Sequence, residues 1–451
     1  MYFLLRMRRF LYISLCLALV LVCGCKNNNT VTTQDRSLAQ LSSFKFAAVD
    51  SMPGLAAATF TIKELLDTGL VENTDSMLYG TSLKRVVPRF SFASTPDAAY
   101  LTFPSGIYVL TGADTLDFTQ DPIYLTIRSA DKSNTKVYRI HPTVHQADPD
   151  LYEWQQLNAG IYGEDDSEQR VVEFKDDFLM IASTGYSLNV FRSADGVTWS
   201  DLGSPSGLPA GTKVRQIISN GDSLFYGQDS TMYISTDAVT WTPVQTKYPI
   251  VTTLLYWNDL AWALTINDSA QYELATWSGD TLQMSGLIPD GEFPISDFGT
   301  VTFISSSLRE RALIIGGFAE NGRSLNTRWN LEYSTHIKEH NGYRLQEFSI
   351  ENAPFRSLTG ISVIWYNNQL QLFGGVDENM TYLGRDFLIS TNEGMTWTLA
   401  DTTKNQLPDV YQARQKQTAI VRDNNIYLFG GQDAQTTHSD VYKGRLNSID
   451  W

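Results

Sequence analysis

The strongest constraint on this chain is a recurrence in its second half. Six short apolar runs return there at intervals of roughly 40 to 60 residues: Phe178 to Ser183, Leu224 to Gln228, Ala261 to Ile266, Ala312 to Gly317, Gln371 to Gly375 and Ile426 to Gly431. Runs this short, bounded by turn residues, read as strands rather than helices. A unit recurring at that interval is one small sheet, and it buries its faces only by stacking on its neighbours. Shared among six runs, residues 154 to 451 allow about 50 residues to each.

Turns after these runs repeat as well. Ser193-Ala194-Asp195-Gly196-Val197-Thr198-Trp199, Ser235-Thr236-Asp237-Ala238-Val239-Thr240-Trp241 and Ser390-Thr391-Asn392-Glu393-Gly394-Met395-Thr396-Trp397 share one pattern. A short polar side chain accepts backbone N–H groups in the turn, and an indole wedges between sheets. The pattern resembles the Asp-box of sialidase-type propellers, Ser-x-Asp-x-Gly-x-Thr-Trp; the third copy has its spacing with Asn for Asp, and the first two are one residue short. Gly316-Gly317, Gly374-Gly375 and Gly430-Gly431 end three of the strands where a Cβ would obstruct backbone geometry or packing, and resemble kelch repeats. Together these resemblances, to a kelch and galactose-oxidase-like architecture, imply a six-bladed kelch-like β-propeller over residues 147–451. Glu153 to Leu157 looks like a fourth strand placed ahead of the first complete blade, so it is expected to complete the last one and remove an open edge. The competing fourth strand is Ser448 to Trp451.

Residues 41–146 alternate apolar and polar positions in short runs: Phe44 to Phe46, Val86 to Phe92, Ala99 to Phe103, Ile107 to Leu110, Ile123 to Ile127 and Val137 to Ile140. Period two with intervening Pro-Gly and Asn turns predicts about seven strands, an immunoglobulin-like β-sandwich. The one stretch compatible with a helix is Thr61 to Asp67. Ser43 to Phe46, Pro88 to Phe90 and Asp117 to Ile127 resemble the N-terminal domains of Bacteroidota lipoproteins, which implies a spacer or interaction domain without catalytic residues. The whole fold is expected to be all-β.

Arg6, Arg8 and Arg9 precede an apolar run, Phe10 to Val22, of secretory-signal length. Leu21-Val22-Cys23-Gly24-Cys25 resembles the bacterial lipobox, so residues 1–24 are expected to be a signal peptide, Cys25 the lipidated N-terminus and residues 25–40 a flexible tether. The implied address is the outer membrane, on its periplasmic or cell-surface face. The three cysteines are Cys16, Cys23 and Cys25, so the mature chain forms no disulfide. With 34 basic against 49 acidic residues the net charge is −15, and losing the three leader arginines makes it −18. Nucleic acid is thereby excluded as a partner, and membrane attachment falls to lipid alone.

Catalytic motifs are few. His336-Ile337-Lys338-Glu339-His340 matches an inverzincin zinc motif by letters, but Asn341-Gly342 marks it as a hairpin tip rather than a helix. His141 and His145 are separated by Pro142, which bars a shared helix face. Glu164-Asp165-Asp166 and Asp148-Pro149-Asp150 match no calcium loop. Galactose-oxidase chemistry needs a cysteine that the mature propeller lacks, and the sialidase Arg-Ile-Pro signature is missing, although Arg170, Arg215, Arg323, Arg356 and Arg414 are present. No cofactor or metal is expected. Asp-Ser/Thr-apolar triplets, such as Asp222-Ser223-Leu224, resemble Bacteroidota O-glycosylation acceptors. The expected function is binding of a glycan or an envelope protein at the propeller loops. Tyr186, Tyr248, Phe293, Phe318, Phe355, Tyr382 and Tyr411 are the candidate stacking rings and Arg215, Arg356 and Arg414 the candidate charges. The alternatives are a glycoside-active enzyme and a structural component of an outer-membrane assembly.

Overall fold

The structure, a computed structural model, describes residues 35–447 except 66–67, 113, 159–167, 185–186, 306–307 and 351–353. The signal segment, Cys25, Tyr186, Glu164-Asp165-Asp166 and Ser448 to Trp451 lie outside the described residues. The chain divides into two units, Met1–Ala147 and Asp148–Trp451.

The described residues of the first unit form eight strands where about seven were expected: β1 (Leu41–Phe46), β2 (Phe60–Glu64), β3 (Thr68–Asn73), β4 (Pro88–Phe92), β5 (Ala98–Phe103), β6 (Gly106–Val109), β7 (Ile123–Arg128) and β8 (Thr135–His141). One sheet runs β2-β3-β8-β7-β5-β6 and the other pairs β1 with β4. Every neighbour pair is antiparallel except β3 with β8. The helix expected at Thr61 to Asp67 is instead strand β2, because Phe60 and Ile62 pack against the core while Thr61 and Lys63 face outward, a period of two. Among the described residues the α-helix is α1 (Pro53–Ala57), opened by its proline. Phe44 meets Phe60 edge-on at 4.7 Å and Phe46 meets Phe118 at 5.1 Å, the edge-to-face geometry aromatic quadrupoles favour. Buried Tyr138 donates to Glu64 at 2.8 Å and accepts from the Leu41 amide at 3.1 Å, tying the two sheets together.

The second unit opens with β9 (Tyr152–Asn158). A first sheet follows from β10 (Glu168–Phe174), β11 (Asp177–Ser183), β12 (Leu188–Ser193) and β13 (Ser200–Gly203). A six-stranded sheet comes next: β14 (Ile218–Ser219), β15 (Leu224–Ser235), β16 (Thr242–Trp257), β17 (Leu260–Ile266), β18 (Tyr272–Ser278) and β19 (Thr281–Met284). Two further four-stranded sheets are β20 (Gly299–Ile304), β21 (Glu310–Ile315), β22 (Thr327–Tyr333), β23 (Tyr343–Ser349), and β24 (Ser362–Tyr366), β25 (Gln369–Phe373), β26 (Leu388–Ser390), β27 (Thr398–Leu399). The last holds β28 (Thr418–Arg422), β29 (Asn425–Gln432) and β30 (Thr437–Leu446), and its fourth strand is β9, with Trp154 opposite Gly444. The early strand therefore closes the ring, as expected.

Strands β10, β14, β16, β20, β24 and β28 all line one cavity of about 650 Å³. Antiparallel sheets set around a shared channel in this way form a β-propeller. All six apolar runs lie on the strands directly outside those inner ones. Apolar side chains fill the spaces between neighbouring sheets, with Trp262, Trp329 and Trp397 wholly buried there. In each glycine pair both residues have positive φ; a Cβ on Gly316 would meet the Leu358 carbonyl at 2.3 Å, and one on Gly430 would overlap the Gln169 amide.

The Ser-x-Asp turns are built as their chemistry requires. Asp195 accepts from the amides of Val197 and Thr198 at 2.8 Å each, and Asp237 from those of Val239 and Thr240 at 2.9 and 2.7 Å. Asn392 accepts from the Thr396 amide at 2.9 Å. Trp241 Nε1 donates back to the Ala238 carbonyl at 3.2 Å, locking the indole into the wedge. Since successive strands run antiparallel, these turns lie at the end of the propeller opposite the starts of the inner strands.

Candidate functional site

Where the inner strands begin, the connecting loops are laced around the axis. The Gly360 amide donates to the Asp297 carbonyl at 2.7 Å, the Lys416 amide to the Gly360 carbonyl at 2.6 Å, and Arg215 Nη1 to the Lys416 carbonyl at 2.6 Å. Asp297, Gly360 and Lys416 all adopt left-handed backbone, with φ of 52°, 65° and 59°. For Asp297 and Lys416 that conformation costs roughly 1–2 kcal/mol, and such strain persists only where the surroundings fix it.

Inside this lacing is a pocket of about 280 Å³ lined by Glu168, Arg170, Lys213, Arg215, Gln216, Leu254, Ser296, Asp297, Phe298 and Thr300. Arg170, Phe298 and Thr300 also line the larger axial cavity, so the pocket is its mouth. Lys416 Nζ contacts Glu168 at 2.7 Å and Asp297 at 3.8 Å, while Arg215 Nε lies 3.6 Å from Asp297. Arg170 differs. Its Nε is shut away from solvent without a hydrogen-bond partner, and among the described residues no carboxylate pairs with its guanidinium. Burial, and then the neighbouring charge of Arg215, pushes the Arg170 guanidinium down to about 10; burial lowers Arg215 too, against the pull of Asp297 and Glu168.

The mouth thus gathers four cations, Arg170, Lys213, Arg215 and Lys416, around two carboxylates, Glu168 and Asp297, in a chain whose net charge is −15. A small cleft with a local excess of one sign concentrates ligands of the other.

Of the described candidate stacking rings and candidate charges read from the sequence, Arg215 is the one that lies in this mouth. Phe293, Phe355 and Tyr411 are buried, the first two against Trp329 and Trp397, so these three rings are wedges between sheets rather than ligand platforms. Arg414, 1% exposed, forms a two-pronged pair with Asp440 and stacks on Tyr411 at 4.4 Å, which makes it a structural charge. Tyr248 hydrogen-bonds Asp268 at 3.1 Å beneath Lys247. Phe318 is half-buried with its backbone bridged to Ser296 and Ser324, and Arg356 is exposed. Tyr382 is half-buried, its hydroxyl pushed up by burial and by Asp433. Of the other arginines, exposed Arg323 pairs with Glu292, and Arg170 joins Arg215. His340 and Asn341 sit in the hairpin between β22 and β23, as expected. No group of three His, Cys, Asp or Glu able to hold a metal occurs among the described residues.

Sequence reasoning missed Glu168, Asp297 and Lys416, and noticed Arg170 without assigning it to a face. Counting back from each apolar run, across its hairpin to the start of the inner strand, reaches all of these positions.

Comparison with known proteins agrees with this architecture. Residues 148–451 match the DUF6242 beta propeller domain, and residues 26–141 match the DUF6242 N-terminal domain. A solved structure titled "Structure of YjhT" aligns at a TM-score of 0.43 with 12% identity, covering 61% of this chain and 93% of that one. No curated protein matches the chain.

Proposed function

The chain belongs to the DUF6242 family, with both its N-terminal and its propeller domain, and from that premise we propose a lipid-anchored binding protein of the cell envelope. The propeller takes a glycan or protein ligand at its axial mouth and performs no chemistry on it. The observation that carries this reading is the cationic pocket around Arg170 and Arg215: a concave site, cross-braced by strained loops, with a charge left unmatched.

The propeller has six blades on this reading. In the six-stranded sheet, β15 serves β14 with its first residues and β16 with its last, and β16 pairs β15 near Val244 but β17 near Leu255. Two four-stranded blades thus share a continuous strand. The turns at Asp195 and Asp237 support the Asp-box likeness, and the paired glycines the kelch likeness. In the first unit, β8-β7-β5-β6 follows the strand order of an immunoglobulin-like face, with β1 and β4 opposite. Attachment through Cys25 rests on the lipobox, and loss of palmitate labelling in Cys25→Ser tests it.

A second reading has one observation in its favour: Glu168 and Asp297 both reach Lys416, a carboxylate pair beside the pocket of the kind a glycoside-active enzyme needs. A glycan array probed with the chain, followed by prolonged incubation with each bound sugar, separates the two. Retention without released product is expected. Free reducing sugar, abolished in Glu168→Gln, would replace the binding reading with the enzymatic one.

A further inference from the structure

The three pairings that hold the mouth together account for every carboxylate in it. Glu168 is taken by Lys416, and Asp297 is shared between Lys416 and Arg215. Arg215 also spends Nη1 on the Lys416 carbonyl. Among the described residues nothing comparable reaches Arg170, which lines both the 280 Å³ pocket and the 650 Å³ channel. A folded chain gains nothing from holding a cation partly out of water beside a second cation, because desolvation and repulsion both oppose it. At two other arginines of the same propeller the charge is matched: Arg414 has Asp440 and the Gly430 and Gln412 carbonyls, and Arg311 has Glu393 and Glu332. The missing partner at Arg170 is therefore supplied from outside.

We propose that Arg170, backed by Arg215, binds the carboxylate of a small hydroxylated acid of the uronate class in the axial mouth. A planar guanidinium meets a carboxylate with two parallel N–H···O bonds, a match that neither a lone ammonium nor a hydroxyl reproduces. The remaining lining sets the rest of the ligand. Ser296 and Thr300 hydroxyls, the Gln216 amide and the Glu168 and Asp297 carboxylates offer donors and acceptors to ring hydroxyls, and Phe298 is the single aromatic face. A pocket of this size takes one sugar-sized ring, with the channel beyond it open to a further residue.

The proposal rests on the mouth being the binding face and adds its chemical preference. The full chain is titrated calorimetrically with D-glucuronate, D-glucose and inorganic phosphate, alongside Arg170→Gln and Arg170→Lys. Wild type should bind glucuronate at least about 10-fold more tightly than glucose, weakening as salt rises, and Arg170→Gln should lose about 10-fold or more of that affinity. Arg170→Lys keeps the charge without the fork and should lose most of it, which decides the matter if the glutamine variant fails to fold. Glucuronate binding left intact in both variants overturns the carboxylate site, while an array signal abolished by Arg215→Ala would leave the mouth itself standing as the binding face. Phosphate binding as tight as glucuronate would show a site for charge alone and overturn the uronate assignment. Wild type that distinguishes neither sugar overturns the proposal outright.

Discussion

At the end of the propeller that carries the Ser-x-Asp turns, Asp195 and Asp237 each receive two backbone amides within three residues of themselves. At the opposite end, Arg170 stands near the start of an inner strand without a carboxylate partner among the described residues, next to Arg215. Both ends place charge at strand termini, but the first satisfies it locally, in one blade at a time, and the second leaves it to be satisfied from elsewhere. A self-contained turn can be copied from blade to blade because it needs nothing from its surroundings. A site assembled from Glu168, Arg215, Asp297 and Lys416 draws on four separate segments of the chain and exists only once the ring has closed.

The comparison breaks most visibly if the turn end proves dispensable. Trp397, wholly buried, packs among Phe355, Leu372 and Leu388 in the wedge between two sheets. Trp397→Ala should therefore cost about 3–5 kcal/mol in denaturant unfolding. Trp199, half-buried, should cost clearly less; equal losses at both sites would show that burial is not what the wedge supplies. Below this comes Asp237→Ala. Its carboxyl is held below the ordinary 3.8 by the Thr240 amide first, then that of Val239. A lowered native value means stability that is present above pH 3.8 and lost as pH falls through the native value. The alanine variant should accordingly be weaker by about 1 kcal/mol at pH 7, solvent screening included, and the gap should close below about pH 4. A gap independent of pH would place the role of Asp237 in turn shape rather than charge.

At the mouth the sign reverses. Arg170→Gln removes a cation that the fold opposes, so without ligand it should raise unfolding stability by about 0.5–1 kcal/mol, measured by chemical denaturation. A destabilised variant would mean that Arg170 already has a structural role, and the contrast between the two ends would lose its meaning.

The difference also explains what could be read from the sequence. Asp195, Asp237 and Asn392 announced themselves because each turn is a contiguous string whose spacing is its geometry. The glycine pairs and the closing strand at Trp154 were legible for the same reason: φ and strand pairing leave marks within a few residues. The helix expected at Thr61 to Asp67 failed where the partner strand β3 decided the outcome, information that no local window holds. Phe293, Phe355 and Tyr411 sit in segments between successive sheets, where a sequence reading expects exposed rings, but packing buries all three. The mouth was least legible, since Glu168 and Lys416 lie 248 positions apart and meet only through closure.

The smallest effect tests the turn end against itself. Asn392 sits in a turn one residue longer than the others, and there it accepts one amide, from Thr396, while Nδ2 donates to the Thr396 hydroxyl at 2.8 Å. Asn392→Asp would strengthen the accepted bond through charge but lose the donated one. Its new carboxylate would also stand beside Glu393, which is paired with Arg311. Two backbone-amide donors make Asp237 worth keeping charged; a single amide donor, beside the serine hydroxyl that both turns supply, does not offset a lost hydrogen bond and a neighbouring acid. The substitution should therefore change stability by less than about 0.5 kcal/mol at pH 7. A gain near 1 kcal/mol would mean that turn length is irrelevant and that charge alone governs these loops. Spacing between serine and tryptophan would then carry no energetic information.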